Sequence, residues 1–126
     1  MDSDSQAAGA VLAALGQTVA VFTELHHPYV RHQAFSYLLP AGGAVAGTVF
    51  TLPDGREVHF AVTLGFTGDS FTVSGTAAVE DSELLSLPPR TLHNLDDALS
   101  VLDSYVDEIA ESSRRLVDTL FEDLAR

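Results

Sequence analysis

Three histidines, His26, His27 and His32, fall within one seven-residue run, His-His-Pro-Tyr-Val-Arg-His. Three imidazoles with a water completing the site can bind zinc or nickel. Their spacing matches no tight metal signature and no carboxylate stands among them, so a loop-and-strand role is expected and no metal. His59 falls on the open face of a strand with Thr63 and Ser74. A catalytic dyad there needs an orienting acid, and the nearest on that face is Glu57, which leaves a solvated histidine as the expectation. The sequence holds no glycine-rich phosphate loop, nucleophile elbow, paired-carboxylate motif or basic aromatic surface. No enzymatic activity and no cofactor are therefore expected.

The richest source of candidate binding residues is the stretch from Asn94 to Leu124. Placed at 100° per residue, Leu95, Leu99, Leu102, Val106, Ile109, Leu116, Leu120 and Leu124 form one narrow apolar stripe, widened by Ala98, Tyr105, Val117 and Phe121. Asn94 is a good N-cap, with Asp97 three residues on. Ser113 sits within the stripe, and its hydroxyl is expected to bond back to the Ile109 carbonyl. The opposite face carries Asp96, Asp97, Asp103, Asp107, Glu108, Glu111, Asp118 and Glu122 against Arg114 and Arg115 alone. The pairs Asp103–Asp107 and Asp107–Glu111 repel at four-residue spacing, which local helix stability would not choose. Asp103, Asp107, Glu111 and Asp118 are therefore candidates for binding a basic partner.

About 31 residues make a helix of roughly 46 Å, while a domain of this length has a diameter of about 36 Å. The overhanging end is its most apolar part: Leu116, Val117, Leu120, Phe121 and Leu124. A patch of that kind is expected to be covered, by the N-terminal helix or by a second subunit, and a homodimer is the expectation.

The elements before this helix follow from periodicity. A helix runs from about Ser5 to Thr18 or beyond, with Val11, Leu12, Leu15, Val19 and Phe22 on one side. Gly9 and Gly16 weaken it by roughly 1 kcal/mol each against alanine, and residues 18–25 read equally as helix or strand. From Val30 the period is two, giving strands over 30–39, 44–52, 56–66 and 70–80. Their turns are Pro40-Ala41-Gly42-Gly43, Pro53-Asp54-Gly55 and Gly68-Asp69. These turns pair Tyr37 with Ala46 and Phe35 with Thr48, then Phe50 with Val58, then Leu64 with Val73. They place Phe35, Tyr37, Leu39, Phe50, Leu52, Val58, Phe60, Val62, Leu64, Phe66, Phe71, Val73 and Val79 on one core face, with Ala46, Thr48 and Gly75 as gaps for a crossing helix. Residues 80–90 read as a loop ending in Pro88-Pro89. The fold class expected is α+β: an N-terminal helix, a four-stranded antiparallel meander, and the long C-terminal helix on one sheet face as a two-layer sandwich.

The chain has 126 residues, 46% of them hydrophobic, enough for one domain with a single core. It has no cysteine, and with a negatively charged start and an apolar run too short to span a bilayer it fits a reducing, cytoplasmic setting. Net charge is −12, so nucleic acid and anionic membranes are unfavourable partners and a basic protein is a favourable one. The alternative is that the acidity reflects a GC-rich or salt-loving source and only confers solubility.

In gross build this small, acidic, cysteine-free chain resembles the type III secretion chaperone-like superfamily, through its N-terminal helix, antiparallel sheet and closing segment Leu95 to Leu124. The resemblance implies a homodimer that escorts a protein client without catalysis. The family usually places a helix between its third and fourth strands and a fifth strand before the last helix; this sequence departs from that pattern, with only Thr67-Gly68-Asp69 between its third and fourth strands. The expected function is a non-enzymatic protein-binding module of an escort, inhibitor or immunity kind. The alternative is a small-molecule binding module with its ligand between sheet and helices.

Overall fold

An uncharged run from Ser5 to Thr23 and the capped stretch after Asn94 become the two helices, and the period-two region between them becomes one sheet. The computed structural model describes residues 2–40, 42–67, 69–80 and 82–124. Its elements are α1 (Asp2–Glu24), β1 (Arg31–Leu38), β2 (Gly43–Thr51), β3 (Glu57–Thr67), β4 (Ser70–Val79), β5 (Ser82–Leu92) and α2 (Leu95–Leu124). The strands form an antiparallel meander in the order β1-β2-β3-β4-β5. Both helices pack on one face of it, α1 over β1 and β2, α2 over β3 to β5. Residues 18–25, open between helix and strand, are helical to Glu24.

Five strands stand where four were expected. Most of the expected loop over residues 80–90 belongs to β5, and its prolines account for the difference. Proline removes a ladder donor, which excludes it from central strands but not from an edge. Pro88 and Pro89 sit in the edge strand of this sheet, which carries two register shifts against β4, between Val73 and Gly75 and between Ala77 and Ala78. The Tyr105 hydroxyl of α2 donates to the Pro88 carbonyl at 2.6 Å and ties this edge to the helix layer. No helix lies between β3 and β4, which form a tight hairpin.

Two of the three expected registers hold, Phe50 opposite Val58 and Leu64 opposite Val73. The β2–β3 turn is closed by Leu52 and Arg56, and the Arg56 N–H and guanidinium both donate to Asp54. Those bonds, the backbone one foremost, hold the Asp54 carboxyl below the usual carboxylate range. The β1–β2 register differs by one residue: Tyr37 pairs with Val45 and Phe35 with Gly47. Leu39 bonds across to Gly43, leaving a loop of Pro40, Ala41 and Gly42, three residues instead of four; Ala41, like Gly68 of the β3–β4 turn, lies outside the described residues. Gly42 and Gly43 both take positive φ, +108° and +120°, and a Cβ at Gly43 would collide with the Leu64 carbonyl. The slip turns every β1 side chain over. Phe35 and Tyr37 leave the core for the outer face, while His32 and Ala34 enter it, His32 stacking on Phe50 at 5.2 Å.

The remaining core follows the periodicity. Phe22, Phe60, Val58, Val73 and Ile109 are fully buried. Gly75 is the close approach expected of a gap, since a Cβ there would stand 3.3 Å from Ile109 Cγ1. Asn94 caps α2 by accepting the Asp97 N–H at 2.8 Å, and its side-chain amide returns a bond to the Asp97 carboxylate. Buried Ser113 donates to the Ala110 carbonyl at 2.7 Å, one residue beyond the Ile109 carbonyl expected. Among the described residues no helix is long and apolar enough to cross a membrane.

Candidate functional site

The apolar end of α2 is covered from within the chain. Between α1 and β1 the run His27-Pro28-Tyr29 folds over it, and Tyr29 stacks on Phe121 at 5.6 Å and 12°. The His27 ring packs against Phe121 at 5.3 Å and edge-on to Tyr29 at 6.2 Å, so the three rings form one cluster. His27 Nδ1 accepts the Tyr29 N–H at 3.1 Å, so its proton sits on Nε2, which donates to Asp118 at 2.8 Å. The nine candidate residues on α2 are thus split. Val117 is buried; Leu116, Leu120 and Phe121 are half-buried; Leu124 remains exposed. Asp118 is engaged with His27, while Asp103, Asp107 and Glu111 are exposed. Phe121→Asp should release the Tyr29 loop and lower the melting temperature by about 5 °C or more, as expected for a lost aromatic stack with a charge set among apolar groups. Thermal denaturation checks this, and light scattering should find the oligomeric state unchanged.

The three clustered histidines turn to different partners: His27 to Asp118, His32 to the Thr23 carbonyl at 3.1 Å, and His26 to solvent. Among the described residues no group of three histidine or acidic side chains is placed to hold a metal ion. His59 and Glu57 stand 3.9 Å apart, both about half exposed, so neither fixes the other for acid–base work. They lie on the outer sheet face in an open trough of about 680 Å³ with Arg31, Gln33, Phe35, Tyr37 and Val49.

A second groove, of about 490 Å³, runs between the two helices. Ala10, Ala13, Ala14, Gln17, Thr18 and Val21 of α1 form one wall, and Leu99, Ser100, Leu102, Asp103 and Val106 of α2 form the other. It exists because α1 offers mainly small side chains on this flank, too short to fill the space beside α2. The Thr18 hydroxyl is satisfied by the Ala14 carbonyl at 2.9 Å, so the lining is mainly apolar, with Gln17 and Ser100 as its uncharged polar members. Among the described residues, Asp103 is the only charged one in its lining. Asp96 and Asp107 follow the same helix edge, two turns before and one turn after. No ion pair among the described residues engages Asp103 or Asp107, and α1 offers no charge between Ser5 and Thr23. The rim is therefore acidic and uncompensated.

The acidic wall of this groove was legible in the sequence; the α1 wall was not. The available signal was the uncharged run itself, because a helix apolar all round is one whose faces are meant to be covered, yet Leu12, Ala13, Gly16 and Gln17 remain exposed. By contrast the space enclosed between α1, α2 and the sheet, beside Val11, Leu15, Ala44 and Val62, is about 10 Å³. That is about one water, so a ligand there would have to part the helices from the sheet. Compared with protein-family models, curated proteins and solved structures, the chain matches none.

Proposed function

We propose that this chain is a non-enzymatic protein-binding module, escort-like in kind, that receives a basic amphipathic helix of a partner protein in the α1–α2 groove. The observation that carries the reading is the union of an apolar channel with an unpaired acidic rim, Asp103 and Asp107, along one side. Helix-in-groove recognition needs those two parts: an apolar trough for side chains at i, i+3, i+4 and i+7, and rim charges that select partner and orientation. The net charge of −12 adds long-range attraction for a basic partner.

A leucine–lysine amphipathic peptide of eighteen residues serves as probe, with a scrambled peptide of the same composition as control. Titration calorimetry should show the amphipathic peptide binding at least about tenfold tighter than the scrambled one, with affinity falling as salt rises. Equal binding of the two peptides would reduce the groove to a patch of general acidity and sink the reading.

A further inference from the structure

The two edges of the sheet are built differently, and the difference points to a second copy of this chain. The β5 edge is blunted in two known ways, by Pro88-Pro89 and by two register shifts. The β1 edge has neither. Arg31 to Leu38 pairs with β2 through eight consecutive residues without a bulge, and holds no proline, lysine or acid. Its exposed side chains include Tyr37 at 54% and Leu38 at 67%.

The ladder phase shows what this edge offers. The Leu39 N–H donates to Gly43 and the two residues are directly opposed, so odd-numbered residues of β1 bond to β2. His32, Ala34, Ser36 and Leu38 then turn their backbone N–H and C=O groups outward. Charge decides what can approach. On a chain of net charge −12, no aspartate or glutamate occurs from Leu25 to Pro53. The β1 edge is thus the flank on which two such acidic chains meet with least repulsion.

We propose that two copies pair antiparallel through β1, joining their sheets edge to edge across a two-fold axis. A two-fold normal to the sheet keeps both helix layers on one face and requires one residue to face its own copy. With Phe35 on the axis, Phe35 faces Phe35 of the second copy and Gln33 faces Tyr37. Ala34 and Ser36 then exchange backbone bonds through their outward groups. The stacked Phe35 and Tyr37 rings, 6.1 Å apart in one chain, meet their equivalents on the outer face. The pairing leaves the α1–α2 groove untouched and is independent of what that groove binds.

Light scattering on the full chain at about 10–200 µM should approach twice 13.4 kDa, with no loss of dimer as salt rises. Amide exchange should be slowed at His32, Ala34, Ser36 and Leu38, and should quicken on dilution. Ser36→Pro removes an outward donor without touching a β2 bond, and should weaken the dimer at least about tenfold. Should that variant fail to fold, Ser36→Glu/Leu38→Glu, at two exposed positions, places like charges in the interface and should do the same. A wild-type monomer at about 200 µM overturns the proposal. So does a dimer that survives the edge substitutions in folded protein, or one whose four outward amides exchange freely.

Discussion

Gly47→Val should lower the melting temperature by roughly 10–15 °C, the largest loss expected from one substitution in the sheet. Gly47 is buried in β2 with Phe35 opposite on one side and Ala61 on the other. A Cβ there would run into the Phe60 carbonyl and the Phe35 ring. The carbonyl belongs to a central strand and cannot yield without moving the ladder, so the cost lies at or above the usual range for overpacking, about 3 kcal/mol. Gly16→Ala is the matched control. It sits in α1 with nothing near its missing side chain, and should stabilise by about 0.5–1 kcal/mol. If Gly47→Val melts with the wild type, Phe35 does not lie over Gly47 and the β1–β2 register is wrong.

That register marks where the sequence stopped being informative. The alternation in β3 and β4 is strong, and their turns left one consistent pairing, which the structure has. For β1 the large residues Phe35, Tyr37 and Leu39 argued for the core, and a four-residue loop satisfied them. Two neighbouring glycines at positive φ shorten the loop by one residue, and Phe35 goes outside to cover Gly47. An edge strand can spend its aromatics this way because its own inner face is shallow, filled by Ala34 and a histidine. β5 was hidden for a related reason: edge strands tolerate proline and need bury only Leu87. The helix stripe and its Asn94 cap were fully legible, since 30 residues in one phase admit few alternatives. The covering of Phe121 was not, because His27 and Tyr29 lie some ninety residues away in sequence and carry no local signal of that contact.

Asp103→Lys/Asp107→Lys should weaken binding of the leucine–lysine peptide by about 10- to 100-fold at low ionic strength. Each exposed ion pair contributes modestly, but reversal both removes an attraction and adds a repulsion, and the two sites act together. Most of the change should fall on the association rate, and it should shrink as screening shortens to about 8 Å near physiological salt. The fold should not suffer, since the reversal turns the repulsive pair Asp107–Glu111 into an attractive one. Stopped-flow binding at two salt concentrations measures this directly. Unchanged rates at low salt would remove the acidic rim from recognition and leave its charge a matter of solubility.

The claim that a partner helix lies between α1 and α2 is tested most directly by mapping backbone amide shifts as the amphipathic peptide is titrated in. The largest shifts should gather on the groove walls, at Ala10, Ala13, Ala14 and Gln17 of α1 and at Leu99, Asp103 and Val106 of α2. Shifts gathered instead around Phe35, Tyr37 and His59 on the outer sheet face, with the groove walls silent, would contradict it.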